Sequence, residues 1–211
     1  MAPFVDRETL VDLKKGDTTA FEKVLYLYEG PILNYIYRLI KHRENARDLT
    51  QDTFVRLYEK ASNIDPDGNF RGWIYKVATN IVWDWLRKET KRKEVPLISE
   101  ESGEENSYLI FPESLPSYEM SHLETAEDTA RTLQKLKPTY QTILTLFYYH
   151  EFKQTEIAEM LNTPLGTIKT NLRKAKIAFR ETLFAEEKNL AKAKVESNKQ
   201  KLEHGLSFSK N

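Results

Sequence analysis

Cysteine is absent from this 211-residue sequence, which excludes disulfide bonds and thiolate metal sites and favours a reducing compartment. The four histidines are scattered, with no spacing that resembles a metal site: His42, His122, His150 and His204. No apolar run approaches the roughly 20 residues that span a bilayer, and the N-terminus lacks the apolar region of a signal peptide. We therefore expect a cytoplasmic protein without membrane insertion.

Recognisable catalytic motifs are also absent. The sequence contains no Ser/His/Asp arrangement, no glycine-rich phosphate loop and no cluster of metal ligands. We therefore expect a protein that is not an enzyme and that needs neither a cofactor nor a metal.

The formal net charge of zero hides an uneven distribution of charge along the chain. Residues 1–93 contain 17 Lys/Arg and 14 Asp/Glu, whereas residues 94–130 contain no Lys/Arg and 10 Asp/Glu. Residues 131–211 contain 15 Lys/Arg and 8 Asp/Glu. Two basic segments on either side of an acidic one suit two anion-binding modules joined by a linker.

Sustained alternation of apolar and polar residues is missing, and nearly every patterned stretch has helical periodicity, which predicts an all-α protein. We expect two small helical domains at 6–93 and 119–184, a flexible acidic linker at 94–118 and a polar tail at 185–211, either a frayed helix or disordered. The first domain is predicted to contain helices over Arg7–Lys15, Thr19–Tyr28, Ile32–Lys41 (with Pro31 at its first turn), Glu44–Ser62 and Arg71–Lys91. The second is predicted to contain one helix through Leu136, one over Pro138–His150 and two that follow.

Those last two helices lie in the stretch QTEIAEMLNTPLGTIKTNLRKAK. Pro164 and Gly166 are expected to form a turn between them, with Thr155 and Thr167 as candidate N-caps. On a helical wheel the second helix has an apolar face and an opposite basic face, and no acidic residue occurs from 162 to 179. An ordinary helical hairpin can also have a basic solvated face. However, cations without competing carboxylates favour a helix-turn-helix that binds DNA.

The stretch YYHEFKQTEIAEMLNTPLGTIKTNLRKAKIAFRETL resembles the fourth conserved region of bacterial RNA polymerase σ factors, in the extracytoplasmic-function (ECF) group of the σ70 family. The resemblance implies that this helix-turn-helix binds the −35 promoter element. The implied DNA-binding residues are Thr167, Lys169, Thr170, Asn171, Arg173 and Lys174. Asn171 departs from the family, where Arg is common; Asn suits an adenine edge, and a packing role is the alternative.

A second stripe lies in FRGWIYKVATNIVWDWLRK, where Lys76, Asn80, Trp83 and Arg87 share a face separate from the apolar one. An aromatic ring between cations fits a platform on which an unpaired base stacks, whereas the alternative is that Trp83 packs on a neighbouring helix or on the linker. The stretch resembles the family's second conserved region, which captures the melted −10 element. That resemblance adds the preceding loop, Asn63–Asn69, with Asn69 as a contact. For Asp84, an ion pair with an Arg within the chain is predicted.

A third stripe lies on ENARDLTQDTFVRLYEKA, where Asp48, Asp52, Val55 and Glu59 oppose the apolar face and Gln51 lies beside them. A solvated acidic face is the simplest interpretation. In the σ family the matching helix holds a coiled coil of the polymerase β′ subunit, which implies a core polymerase surface at Asp48, Gln51, Asp52 and Val55.

Together these resemblances cover about residues 8–93 and 120–184, and they imply a σ factor that directs core RNA polymerase (β′ and β subunits) to promoter DNA. Many members of the ECF group are held inactive by an anti-σ factor, which makes such a protein a candidate partner. The alternatives are a free-standing helix-turn-helix regulator that binds duplex operator DNA and a helical adaptor that binds no DNA.

Overall fold

The computed structural model describes residues 3–94 and 129–207, and every regular element within these two ranges is helical. The all-α prediction is therefore confirmed. The first domain contains α1 (Arg7–Lys14), α2 (Thr18–Ile40), α3 (Arg43–Lys60), a 3₁₀ turn (Ala61–Asn63) and α4 (Phe70–Glu94). Apart from Glu94, the predicted acidic linker lies outside the described residues.

Local capping explains where the first helices begin. The Asp6 carboxylate accepts a hydrogen bond from the Thr9 backbone N–H at 2.8 Å, and Asp17 does the same for Ala20 at 2.8 Å. Each cap satisfies a backbone donor that has no partner within its helix. A hydrogen bond from Lys23, followed by those from Thr9, holds the pKa of Asp6 far below its usual value.

Helix α2 differs from the prediction of two helices separated near Pro31. It runs without interruption from Thr18 to Ile40, with Pro31 inside it. Proline inside a helix removes one hydrogen bond and costs roughly 3 kcal/mol. A continuous buried stripe on both sides of the proline offsets this cost by packing: Val24, Tyr28, Ile32, Tyr35, Ile36 and Leu39.

The core of the first domain forms where α2, α3 and α4 pack together. Helix α3 contributes the face that the sequence predicted, with Ala46, Leu49, Thr53 and Leu57 all buried. Tyr35 and Tyr75 lie near its centre with ring centroids 5.2 Å apart, and the Tyr35 hydroxyl shares a 2.6 Å hydrogen bond with Thr79. Burial raises the pKa of both tyrosines well above the ordinary value.

The second domain contains α5 (129–134), α6 (Pro138–Leu144), a π-helical turn (Thr145–Tyr149), α7 (Gln154–Met160) and α8 (Leu165–Ser207). The helix predicted over 138–150 is therefore α-helical only as far as Leu144 and has π-helical hydrogen bonding over Thr145–Tyr149. Helix α8 spans 43 residues and includes residues 185–207 of the predicted tail. Side chains beyond Lys188 lie outside the described residues.

The turn between α7 and α8 is built differently from the prediction. Asn162 adopts the left-handed conformation, with φ of 47°, whereas Gly166 already lies inside α8. Asparagine tolerates this conformation better than most side chains. Thr155 and Thr167 are not N-caps, because α7 begins at Gln154 and α8 at Leu165. Glu156 stabilises the start of α7 instead, since its Oε2 accepts from the Lys153 backbone N–H at 2.8 Å.

Candidate nucleic-acid and polymerase interfaces

The predicted −35 surface lies on the first three turns of α8. Ile168, Leu172 and Ala175 are buried, which fixes the rotation of the helix about its axis. The opposite face is open to solvent and contains the predicted contacts Thr167, Lys169, Thr170, Arg173 and Lys174. Asn171 is half-buried at the border between the two faces.

Two side chains near this surface are already engaged within the domain. The Thr170 hydroxyl donates to the Gly166 carbonyl at 2.9 Å, which leaves its methyl group and a hydroxyl lone pair for a ligand. Lys176 lies off the exposed row, with its Nζ 5.4 Å from the centroid of Tyr148 and 5.7 Å from that of Phe147. The exposed cations at the start of α8 are Lys169, Arg173 and Lys174, together with Lys176, which is exposed beside these aromatic rings.

The predicted −10 surface on α4 is less open. Asn80 is exposed and Lys76 is half-buried. Trp83 is half-buried, and its indole Nε1 donates to Thr142 Oγ1 of α6 at 3.1 Å. This contact with α6 matches the alternative that Trp83 packs on a neighbouring helix. The stacking role of Trp83 stays a prediction. Arg87 forms an ion pair with Asp84, as predicted for that aspartate.

Asn69 has both ends of its amide engaged. Its Oδ1 accepts from the Gly72 backbone N–H at 2.9 Å, which caps α4. Its Nδ2 donates to Glu156 Oε1 of α7 at 3.2 Å. A Cβ on Gly72 would lie 2.8 Å from that Nδ2, so glycine at 72 leaves room for the cap.

The predicted polymerase-docking surface on α3 is exposed throughout: Asp48, Gln51, Asp52 and Val55. Gln51 and Val55 also line an apolar groove of about 750 Å³ between α2 and α3. The other groove residues are Phe21, Leu25, Glu29, Leu33, Arg47, Thr50, Phe54 and Tyr58. Val55 is 57% exposed and Tyr58 61% exposed, which is unusual for large apolar side chains outside an interface.

The contacts between the two domains are the feature that sequence reasoning missed. Arg71 on α4 donates a hydrogen bond to the His150 carbonyl, and its guanidinium lies 4.0 Å from the centroid of Phe152. Tyr75 shares a 2.9 Å hydrogen bond with His150 Nδ1. We call Arg71, Tyr75, His150 and Phe152 the joint. Its only sequence signal was a histidine among aromatic residues in YYHEF.

No group of three or more His, Asp or Glu side chains in the described ranges is arranged to hold a metal ion. Within the same ranges, no helix combines the length and the apolar character that crossing a membrane requires.

Comparison with known families finds a match within each of the two domains. Residues 26–92 match the family model for σ70 region 2, and residues 126–179 match that for σ70 region 4. The first match includes α3 and nearly all of α4, and the second includes the helix-turn-helix and the predicted −35 surface.

Individual relatives match over most of their length. The ECF RNA polymerase sigma factor SigW of Bacillus subtilis is 31% identical over 181 residues, covering 84% of this chain and 96% of the relative. The RNA polymerase sigma factor YlaC of the same organism is 28% identical, covering 78% and 92% respectively.

Two solved structures share the fold. The complex of CnrH with the cytosolic domain of CnrY gives a TM-score of 0.62 at 20% identity, covering 85% of this chain and 97% of CnrH. The sigma factor RpoE of Bartonella quintana, in complex with the anti-sigma factor NepR, gives 0.60 at 20% identity, covering 77% and 96%.

Two family models match in their expected order, and one relative aligns along nearly its whole length. This family is not a class of enzymes. The chain therefore belongs to the σ70 family, as an ECF RNA polymerase σ factor.

Proposed function

We propose that this σ factor directs core polymerase to its promoters through three surfaces: the start of α8 at −35, α4 with its preceding loop at −10, and the α2–α3 groove on the polymerase. The observation that carries the proposal is the exposed basic face of α8, which lies opposite a fully buried apolar face. Such a helix can enter the major groove while the apolar face stays in the domain.

At −35, Lys169, Arg173 and Lys174 supply positive charge for phosphates and base edges. Arg pairs well with guanine, and Asn171 at the border of the face suits an adenine. Each phosphate contact releases counterions, so binding should weaken steeply as salt rises.

At −10, Trp83 supplies a ring for stacking, while Lys76 and Arg87 supply charge for the backbone of the single strand. Extruding a base costs a few kcal/mol, which a prepared surface recovers in part by stacking and hydrogen bonding. Asn69 and Asn80 can read the edges of unpaired bases.

On the polymerase side, the acidic residues Asp48 and Asp52 border the apolar groove. Apolar contacts supply affinity, while charge complementarity guides orientation. We expect a helical partner with basic residues at its rim, which the coiled coil of the β′ subunit supplies in the resemblance described above. The β subunit is proposed as a further contact of the second domain.

An anti-σ factor is a proposed partner as well, because structural relatives of this fold occur in complexes of that kind. We further propose that the protein acts in the cytoplasm and that core polymerase supplies all catalysis, metals included.

The deciding experiment is run-off transcription with purified core polymerase on a library of genomic fragments. We expect promoter-dependent transcripts only when the protein is added. A free-standing regulator would instead bind duplex DNA tightly without polymerase and yield no transcript of its own. The comparisons do not favour that alternative.

Docking on the polymerase can be tested separately from transcription. Replacing Asp52 with Arg reverses the charge beside the groove without removing buried volume, so we expect affinity for core polymerase to fall about tenfold. The matched control is Glu8→Arg, which reverses an exposed charge on α1. Equal affinity of both variants would argue against this docking surface.

A further inference from the structure

The joint between the domains contains a half-buried histidine surrounded by aromatic rings. The centroid of the His150 ring lies 4.8 Å from that of Tyr75 and 5.3 Å from that of Tyr35. Its Nδ1 bonds the Tyr75 hydroxyl, whereas its Nε2 is buried and has no hydrogen-bond partner. A neutral imidazole fits this site, whereas an imidazolium would leave an N–H donor and a charge without a partner.

The charged groups that face His150 are cations. Arg38 comes from α2, where its guanidinium also lies 3.9 Å from the centroid of Tyr149. Arg71 comes from α4 and bonds the His150 carbonyl. The neighbouring carboxylate, Glu151, is exposed to solvent. Burial, followed by Arg38 and Arg71, lowers the pKa of His150 from 6.5 to about 3.

Arg71 connects the domains through one guanidinium nitrogen and through the face of the guanidinium, while its buried Nε has no hydrogen-bond partner among the described residues. It lies over Phe152, which is 1% exposed, and bonds the adjacent backbone carbonyl. Phe152 in turn packs edge-on against Tyr75, with centroids 5.1 Å apart. Arg71 of the first domain thus contacts both the Phe152 ring and the His150 carbonyl of the second domain.

The same closure engages residues assigned above to the −10 element. Trp83 donates its indole N–H to Thr142, and Asn69 donates its amide to Glu156. A base that bonds the indole N–H of Trp83, or the Asn69 N–H that contacts Glu156, must displace those contacts first. The closed arrangement therefore occupies polar groups of the proposed −10 surface, whereas the −35 face of α8 is exposed to solvent.

We propose that the closed arrangement is a self-inhibited state of the free σ factor, latched by Arg71 on His150 and Phe152, and that protonation of His150 releases the latch. The inhibitory part rests on the proposed function of the −10 surface, whereas the latch itself does not.

The direction of the pH effect follows from linkage. When the domains separate, His150 becomes exposed and regains the ordinary histidine pKa near 6.5. The open state then binds a proton that the closed state excludes until about pH 3. Closure is therefore fully favoured above about pH 6.5 and is lost as pH falls below it, so the closing constant falls about tenfold between pH 7.5 and 5.5.

The test measures the distance between the domains in the full-length protein. Because the sequence lacks cysteine, spin labels can be placed at Ser62→Cys and Glu181→Cys without other changes. Both positions are exposed, one in each domain. Pulsed electron paramagnetic resonance at pH 7.5 should show one short distance, and at pH 5.5 a longer and broader population. An unchanged distribution would overturn the acid-release part of the proposal.

Two variants assign the effect to His150. In His150→Gln the pH response should disappear, whether that variant stays closed or stays open. The matched control, His42→Gln, changes an exposed histidine at the start of α3 and should keep the response. A His150→Gln protein that still opens between pH 7.5 and 5.5 would refute the role of this residue.

The latch itself is tested by Arg71→Ala, which should shift the labels to the long distance at pH 7.5. Circular dichroism must show unchanged helix content, and Arg71→Lys provides a second variant that keeps the charge but loses the planar contact. Both should open the joint, Arg71→Ala more. Variants that fold and remain closed would overturn the latch.

Inhibition is then read from binding to a single-stranded oligonucleotide with the −10 region of a promoter identified by run-off transcription. We expect Arg71→Ala to bind it several-fold more tightly than the unaltered protein. If the labels show opening but affinity does not rise, closure is real but does not inhibit. If no promoter is found, the proposed function fails while the distance measurements still decide the latch.

Discussion

The two helices assigned to DNA differ in how much of their surface the protein already uses. On α8 the cations Lys169, Arg173 and Lys174 are all exposed to solvent. On α4 the proposed single-strand surface donates hydrogen bonds to the second domain through Asn69 and Trp83. Under the proposals above, the −35 surface can bind duplex DNA without rearrangement, whereas use of the −10 surface requires the contacts of Asn69 and Trp83 with the second domain to break.

The largest effect should come from the open surface. The double variant Arg173→Ala/Lys174→Ala removes a candidate base contact and a phosphate contact, so −35 duplex affinity should fall by about 100-fold or more. Fluorescence anisotropy of holoenzyme on a −35 duplex measures this loss. Lys188→Ala, an exposed cation farther along α8, is the control and should change affinity little.

The next effect concerns stacking on the occupied surface. Trp83→Ala should reduce open-complex formation by roughly tenfold to 100-fold, because stacking of one base contributes about 1–3 kcal/mol. Trp83→Phe keeps a ring and should lose less. Permanganate reactivity of unpaired thymines reports the melted region, and duplex binding serves as the reference. Equal losses in melting and in duplex binding would contradict the stacking role.

A smaller effect is expected from a variant that removes the contact of Trp83 with the second domain but keeps the Trp83 ring. Thr142→Val keeps the volume of a buried side chain but removes the acceptor of the Trp83 indole. An unpaired donor costs roughly 1–3 kcal/mol, which favours the open form by severalfold. Open complexes should therefore form as fast as in the unaltered protein or faster. Slower melting with Thr142→Val would mean that the contact supports function rather than restrains it.

The smallest effect sharpens the description of α8. Gly166 lies inside the helix, without positive φ and with nothing within 4 Å of an added Cβ. Gly166→Ala should therefore stabilise the second domain by about 0.5–1 kcal/mol, measured by urea unfolding. If stability rises while −35 affinity falls, the DNA backbone approaches this point closely.

Sequence periodicity predicted the parts of the fold that depend on local structure. The start of α1, the buried face of α3 and the apolar face of α8 all follow from spacing within one helix. The helix break expected near Pro31 was wrong. The low helix propensity of this one proline is outweighed by the burial of apolar side chains on both sides of it in α2. Pro164 lies in the predicted turn, but the role predicted for Gly166 was wrong, because Asn162 adopts the left-handed conformation and Gly166 lies inside α8.

The resemblance predicted the proposed DNA-binding and polymerase-docking surfaces, but it did not predict the joint between the domains. The resemblance supplied the contacts on α8, α4 and α3, and these assignments remain predictions at the level of residues. The joint could not be foreseen, since it pairs Arg71 with residues almost 80 positions away along the chain. A periodic pattern cannot report contacts between domains, and neither His150 nor Arg71 stands out within its own helix or turn.

The two carboxylate oxygens of Glu156 accept hydrogen bonds from different domains. Oε2 accepts from the Lys153 backbone and holds the first turn of α7, while Oε1 accepts from Asn69 in the other domain. When the domains part, water can replace the second bond without disturbing the first. If the proposed opening occurs, the first turn of α7 therefore keeps its hydrogen bond from Lys153, and the helix-turn-helix domain remains folded in both the closed and the open state.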